Sequence, residues 1–151
     1  MGGYGGIGGK VKGKCYYNTG GHKVKDKNAI EVAEHYINNG IYVAFLKEKP
    51  PSKRPDLSVD NKFLVEVKGM TSVIPHKFET NIAEGFKQIA DEWSKYPKVK
   101  HHSGKVVILS RHENFSEAYE AAKIGYTMAK ERGCVKGDVE FWYHGNIYKL
   151  K

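Results

Sequence analysis

The sequence feature that most constrains the fold is the stretch RPDLSVDNKFLVEVKGM, residues 54–70. Two β-prone segments, Leu57–Val59 and Phe63–Val67, are separated by Asp60 and Asn61. Asp and Asn tolerate the left-handed backbone conformation that tight hairpin turns require. The pattern therefore predicts an antiparallel β-hairpin, and a strand of this kind needs further sheet or helix to bury its apolar face.

Three charged residues lie inside this otherwise apolar hairpin. Side chains alternate along a strand, so Glu66 and Lys68 share one face, and a register that pairs residue 56 with residue 66 sets Asp56 beside Glu66. Adjacent carboxylates repel unless a cation lies between them, and Mg²⁺ favours one or two carboxylates with water completing its octahedron. Lys68 can hold or deprotonate an attacking water, or neutralise charge on a phosphate. The hairpin therefore predicts a divalent-cation site with hydrolytic chemistry.

The remaining elements follow from apolar periodicity. The spacing predicts a first helix over residues 27–39, with Asp26 or Asn28 as its N-cap, and a buried strand over residues 41–46. After the hairpin, the pattern predicts a helix within residues 80–96, a strand over 104–110, a helix opened by Asn114 or Ser116, and a terminal hairpin turning at residues 144–146. The order α-β-β-β-α-β-α-β-β indicates a single α/β domain over residues 26–151.

The first 25 residues differ in composition from the rest of the chain. They are rich in glycine and lysine, and we interpret them as a flexible basic lead-in to the domain. Gly3, Gly5 and Gly8 satisfy the G-x-G-x-x-G spacing, but a phosphate-binding loop of that type follows a strand, and only two residues precede this one. A dinucleotide-binding role is therefore rejected.

Composition narrows the classes of partner. The 151 residues carry 25 Lys plus Arg against 17 Asp plus Glu, a formal charge of +8, which favours an anionic partner such as nucleic acid or an acidic protein. Cys15 and Cys134 lack the spacing of a zinc cluster or disulfide framework and are interpreted as reduced thiols. The sequence predicts neither a transmembrane helix nor a signal peptide.

Pro55-Asp56, followed ten positions later by Glu66-Val67-Lys68 on a hairpin, resembles the motif of the PD-(D/E)xK nuclease superfamily. The resemblance extends from about Asp26 to the last strand. It implies a restriction-endonuclease-like core, with a mixed central β-sheet flanked by helices.

The resemblance also implies roles for individual residues. Asp56 and Glu66 would bind the catalytic metal, Mg²⁺ or Mn²⁺ rather than Zn²⁺, and Lys68 would assist the attacking water. An acidic residue on the first helix, Glu31 or alternatively Glu34, would complete the metal site. Gln88 would contact metal-bound water or substrate from the second helix.

The size of the chain, its Gly-rich lead-in and the pattern NAIEVAEHYINNG…RPDLSVDNKFLVEVK are also similar to the C-terminal toxin domains of contact-dependent growth inhibition and related polymorphic toxin systems. This second resemblance implies a secreted or cell-surface-delivered domain that acts in the cytoplasm of a target bacterium. It further implies cleavage of tRNA or DNA and inhibition by a cognate immunity protein, which we expect to be acidic.

Basic residues are predicted to bind the nucleic-acid backbone: Lys53, Arg54, Lys77 and Lys87, together with the other lysines of KEKPPSKR (residues 47–54) and those of KVKHHSGK (residues 98–105). RNA, with tRNA as first choice, is preferred over DNA through the toxin resemblance. A DNase of the same fold, a non-catalytic nucleic-acid-binding module and a protein-binding module remain alternatives.

Each of these residues also has a purely structural interpretation. Asp56 can be a strand-start residue that bonds its own backbone, and Glu66 with Lys68 can be an ion pair on a solvated sheet surface. Glu31 and Gln88 can be solvent-facing helix residues. His101 and His102 fit a solvated basic turn, while Phe86 and Trp93 fit the core rather than a base-stacking surface.

Overall fold

The structure, a computed structural model of the chain, describes residues 9–11, 15–18, 24, 26–46, 53–100 and 102–151. For the first two ranges it describes the backbone alone. The helices are α1 (Lys27–Asn38), α2 (Pro75–Trp93) and α3 (Phe115–Glu131). The strands are β1 (Gly9–Val11), β2 (Cys15–Asn18), β3 (Val43–Phe45), β4 (Leu57–Val59), β5 (Phe63–Met70), β6 (Gly104–Ser110), β7 (Asp138–Tyr143) and β8 (Asn146–Lys149).

All eight strands form one mixed sheet, in which they lie in the order of the sequence. Strands β3, β4 and β5 pair antiparallel, β5, β6 and β7 pair parallel, and β8 returns antiparallel to β7. The parallel pairs are joined by α2 and α3, since a parallel connection needs a crossover. From α1 onward the predicted element order is confirmed, and so is the α/β class with a mixed, helix-flanked sheet.

The sheet separates two apolar layers. On the face that α1 covers, the buried side chains include Val32 and Ile37 of the helix and Val65 and Val107 of the strands. On the other face, α2 and α3 pack on a second buried cluster. Alternation along β5 sends Val65 and Val67 to the α1 face, whereas Leu64 joins the cluster under α2. Glu66 and Lys68 follow Leu64 and therefore lie on the α2 face.

The hairpin has the predicted turn and register. Asp60 and Asn61 both have φ of 54°, and the Lys62 N–H donates to the Val59 carbonyl at 2.9 Å. Leu57 pairs with Val65, and the same register, continued by one residue, sets residue 56 opposite residue 66. The local turn chemistry therefore decides which charged side chains meet.

The first helix and the third begin at predicted caps. The Asp26 carboxylate accepts the N–H groups of Asn28 and Ala29, and the Asn114 side chain accepts the Glu117 N–H. The second helix begins at Pro75, five residues before the predicted segment, because proline suits the first helical turn and Phe78 adds a buried residue to the apolar stripe.

Two strands lie in the stretch for which the sequence predicted no regular structure. The backbone of β1 and β2 forms an antiparallel pair, and β2 adds parallel to β3 through Tyr17 opposite Val43. Aromatic and β-branched residues in these segments, such as Tyr16 and Val11, have high strand propensity. The Gly3, Gly5 and Gly8 pattern lies outside the described residues.

None of the helices in the described ranges has both the length and the apolar content that a membrane crossing requires.

Candidate functional site

The site is built where β4 separates from β5. At residue 56, hydrogen bonds to side chains take the place of backbone pairing between the two strands. The Asp56 N–H donates to Glu66 Oε1 at 3.2 Å, and the Val67 N–H donates to Asp56 Oδ2 at 2.9 Å. The predicted neighbourhood of Asp56 and Glu66 is confirmed. Each carboxylate is held by a backbone donor of the opposite strand, which orients both groups toward one another.

Lys68 lies on the same face and completes a compact charged cluster. Its Nζ is 3.0 Å from Glu66 Oε2, and the two side chains are only 15% and 8% exposed. Such burial differs from the solvated surface ion pair that the sequence also allowed. Removing two charged groups from water costs free energy, so a contribution to surface solubility does not explain their burial under α2.

The surroundings of Asp56 shift its pKa strongly. Burial raises the pKa of Asp56, and the charge of Glu66 and the hydrogen bond with it raise the pKa further, to about 9. Near neutral pH, Asp56 therefore holds a proton when no cation is present. A divalent cation between the two carboxyl groups would favour the ionised form of Asp56 in place of this proton.

Helix α2 approaches the pair closely. A Cβ added to Gly85 would lie 2.7 Å from Val106 Cγ2 and 3.5 Å from Glu66 Cγ, so this helix position leaves little room for any side chain. Gln88 lies three residues further, on the same side of the helix. Its Oε1 is buried and has no hydrogen-bond partner among the residues that the structure describes. A buried acceptor of this kind is typically satisfied by an ion or an ordered water.

One turn beyond Gln88, a buried ion pair fixes the segment that precedes Asp56. The Arg54 guanidinium donates to both Glu92 oxygens, at 3.1 and 2.7 Å, and Lys95 Nζ lies 2.9 Å from Glu92 Oε1. Burial opposes ionisation of Glu92, but the hydrogen bonds from Arg54 and Lys95 outweigh it and lower the pKa of Glu92. The sequence assigned Arg54 to nucleic-acid binding, whereas its guanidinium is engaged in holding Pro55 and Asp56 against α2.

The Arg54–Glu92 pair was missed at the level of sequence. A signal was present, because Glu92 follows Gln88 by four residues and lies beside Trp93 on the apolar stripe of α2. A carboxylate in that position is buried and needs a cationic partner. Only the tertiary structure identifies Arg54, 38 residues earlier, as that partner.

The acidic residues of α1 are placed differently from the expectation. Glu31 Oε1 pairs with the Arg111 guanidinium at 3.0 Å, and the same guanidinium donates to Asn28 Oδ1. The alternative residue, Glu34, is half-buried on the same helix. The α1 acid whose charge reaches Asp56 and contributes to its raised pKa is Asp26, the N-cap residue. The structure therefore gives Asp26, which the sequence reasoning used only as a cap, a place beside the site.

The other predicted substrate-binding lysines are exposed. Lys53 and Lys77 face solvent, as does Lys87, which makes a 3.5 Å contact with Asp91. Phe86 is buried in the core as predicted, and Trp93 is half-buried with its indole N–H donating to the Ser103 carbonyl.

Over the described ranges, no group of three or more His, Cys, Asp or Glu side chains is arranged to hold a metal ion. Within the part of the chain that the structure describes, the side chains that could hold a cation are the neighbouring carboxyl groups of Asp56 and Glu66, with the Gln88 oxygen of α2, which has no hydrogen-bond partner there. Oxygen ligands of this kind suit Mg²⁺ and Mn²⁺, which retain several waters, better than Zn²⁺.

Comparisons with protein-family models, with curated proteins and with solved structures found no match.

Proposed function

We propose that this domain is a divalent-metal-dependent nuclease that hydrolyses phosphodiester bonds at Asp56, Glu66 and Lys68. The observation that carries the proposal is the pair of neighbouring carboxyl groups, Asp56 and Glu66, with the Lys68 ammonium group 3.0 Å from one oxygen of Glu66. The succession α1, β3, β4, β5, α2 and β6 also suits a restriction-endonuclease-like core, in which the motif hairpin supplies the catalytic residues.

In this proposal each residue of the site has a separate role. Asp56 and Glu66 hold Mg²⁺ or Mn²⁺, which when bound supplies positive charge that stabilises the phosphate and activates water. Lys68, fixed by Glu66, donates hydrogen bonds to the attacking water or to the phosphate oxygens. Gln88 orients a water or a substrate group through its buried oxygen. The Arg54–Glu92 pair keeps Asp56 in position, because a small displacement of a ligand is costly in catalysis.

The proposed substrate is nucleic acid, with RNA, and tRNA in particular, as first choice and a DNase of the same fold as the alternative. The formal charge of +8 and the exposed Lys53, Lys77 and Lys87 support a polyanionic substrate. The resemblance to toxin domains supports tRNA and delivery into the cytoplasm of a target bacterium. A non-catalytic nucleic-acid-binding or protein-binding module would keep the fold without cleavage.

The proposal is tested by incubating the protein with total tRNA and with plasmid DNA, each with Mg²⁺, Mn²⁺, Zn²⁺ or EDTA. We expect cleavage of tRNA with Mg²⁺ or Mn²⁺ and none with EDTA. The Glu66→Gln variant should be inactive, and Glu140→Gln, which neutralises a glutamate on the opposite face of the sheet, should be active. Binding of either nucleic acid without cleavage under any of these conditions would favour the non-catalytic alternative.

The proposed protein partner is an acidic immunity protein that covers the substrate-binding surface. Complementary charge accelerates encounter between such partners, and occlusion of the site excludes substrate. Replacing Lys53 and Lys77 by glutamate should weaken the binding of both the immunity protein and nucleic acid. Arg54 is left unchanged in this test because its loss would release Glu92. A partner that binds the reversed variant as tightly as the parent would show that the two surfaces are separate.

A further inference from the structure

A polar cavity, separate from the Asp56 site, lies at the N-terminal ends of β6 and β7. Its volume is about 420 Å³, and it opens to solvent. The lining residues come from the loop before β6 and the turn before β7: Lys100, His102, Ser103, Gly104, Lys136, Gly137 and Asp138. None of these residues belongs to the Asp56 pair or to its supporting ion pairs, so the cavity is a separate feature of the molecule.

The charges of the cavity favour an anion. Lys100 and Lys136 are both exposed at its rim. The one carboxylate in the lining, Asp138, is paired at 3.3 Å with Lys149, which offsets its charge. Gly104 and Gly137 contribute backbone to the lining, and they pack closely on one another, because a Cβ on Gly137 would collide with the Gly104 carbonyl.

Beside the lysines, the cavity presents an aromatic surface. The His102 ring stacks on Trp93, with centroids 5.5 Å apart and an interplanar angle of 11°, and His102 is exposed in the lining. The His102 Nε2 is 2.7 Å from the Val99 carbonyl, which fixes the ring orientation. Tyr96 packs edge-on against Trp93 and is 47% exposed. Planar rings beside cations are the elements with which proteins hold unpaired bases.

The cavity is near the Asp56 site. Glu66 pairs with Val106 of β6, and Gly104 precedes Val106 by two residues. The strand spacing and rise place the Cα atoms of Glu66 and Gly104 about 8 Å apart. The second half of α2 lies over this interval, with Gly85 against Glu66 and Ile89 against Gly104. A strand that passes around the end of α2 can therefore reach both places.

We infer that this cavity binds one nucleotide unit of a single-stranded nucleic acid, with its phosphate at Lys100 and Lys136 and its base on His102. The inference rests on the proposed nuclease function, because that function is the reason to expect a nucleic-acid strand at this surface. Binding of the nucleotide unit itself requires neither Asp56 nor Glu66. Phosphate and base are common to RNA and DNA, so the experiment includes both.

The test measures fluorescence anisotropy of labelled oligouridine and oligothymidine in EDTA, where no cleavage takes place. For the double variant Lys100→Ala, Lys136→Ala we expect at least a tenfold loss of affinity, and a salt slope smaller by about 0.7 because the two lysines neutralise one phosphate of a single strand. His102→Ala should lower affinity about tenfold with an unchanged salt slope, and His102→Phe should restore it. The nucleic acid that binds the parent more tightly identifies the preferred strand.

The matched control removes two exposed lysines of α3, in the double variant Lys123→Ala, Lys130→Ala, which lowers the net charge equally. This control should retain most of the affinity. Equal losses in the two double variants would show a general charge effect and overturn the inference, and so would a His102→Ala variant with parental affinity. Glu66→Gln should lose cleavage and keep parental binding, so failure of the nuclease proposal and failure of this inference are distinguishable.

Discussion

The two faces of the sheet both bury charged side chains, but they do so in opposite ways. On the α1 face, Lys105 Nζ lies 3.0 Å from Glu140 Oε2 and donates to the Tyr36 hydroxyl, while the Trp142 N–H donates to Glu140 Oε1. We call these four residues the structural cluster. Burial alone would lower the pKa of Lys105, but Tyr36 and Glu140 outweigh it and raise the pKa. The ammonium group of Lys105 is thus stabilised in its ionised form.

On the α2 face, the site of Asp56, Glu66, Lys68 and Gln88 has no such balance. The Lys68 ammonium pairs with Glu66, the pKa of Asp56 is raised rather than lowered, and the Gln88 oxygen has no partner within the described structure. The sheet therefore stabilises the buried charge of Lys105 on its α1 face, whereas Asp56 on its α2 face has no partner that stabilises its ionised form in the same way. A carboxyl group whose pKa is strongly raised beside another charged group is typical of functional sites.

The largest effect that separates the two faces is expected in catalysis. Glu66→Gln removes a cation ligand with little change in shape, and cleavage should fall about a thousandfold or more, the upper range for loss of a group that stabilises the transition state. Glu140→Gln should keep the specific activity and instead lose about 2–3 kcal/mol of unfolding free energy, because Lys105 is left buried without its ion-pair partner. Cleavage assays and urea unfolding check both. Equal activity losses would show that the faces do not differ in function.

The second test compares the two buried lysines. Lys68→Met should lower cleavage about a hundredfold, as expected for loss of one group that acts in proton transfer or charge stabilisation. Its affinity for Mn²⁺ should be retained, because an ammonium group is not a cation ligand. Lys105→Met should leave cleavage unchanged and lower stability. Calorimetric loss of Mn²⁺ binding in Lys68→Met would mean that Lys68 holds the carboxylates in place rather than assisting the reaction.

The third test uses the pH dependence of stability. The pKa of Asp56 is about 9 in the folded protein, against an ordinary value of 3.8, so the folded protein retains a proton that the unfolded chain has lost between these values. This contribution to stability is complete below about pH 4 and is lost as the pH rises through 9. In EDTA, the stability of the parent relative to Asp56→Asn should therefore fall with rising pH.

The slope of that difference is at most about 1.4 kcal/mol per pH unit, which corresponds to one proton. Thermal or urea unfolding of both proteins at several pH values measures it. Asp56→Asn is the matched control because it keeps the size of the side chain and removes the titration. A difference that stays constant over this pH range would show that Asp56 is ionised in the folded protein.

The smallest effect concerns single hydrogen-bonding groups on each face. Gln88→Leu removes an unpartnered buried oxygen and should raise the unfolding free energy by about 1 kcal/mol, while cleavage falls. Tyr36→Phe removes a partnered hydroxyl and should lower the unfolding free energy by about 1 kcal/mol, with cleavage unchanged. Urea unfolding resolves differences of this size. A destabilised Gln88→Leu variant would mean that the amide contributes to the fold.

Much of the fold was predictable because its signals are local. Asp26 and Asn114 are cap residues followed by amphipathic stripes, and Asp60 and Asn61 form a turn whose φ values favour these side chains. The early start of α2 at Pro75 was missed because the apolar stripe before residue 80 is sparse. The strand Cys15–Asn18 was missed because its short β-prone stretch lies within a glycine-rich segment and pairs with β3, which is distant in the sequence.

The sequence by itself determined the contact between Asp56 and Glu66, since hairpin register follows from turn length and alternation alone. It also placed Gln88 on the second helix and Lys68 beside Glu66. Only the tertiary structure decided that Glu92 holds Arg54 and that Glu31 pairs with Arg111. These contacts join residues far apart in the chain, and charged partners at such distances are chosen by how the helices pack on the sheet, which no local pattern encodes.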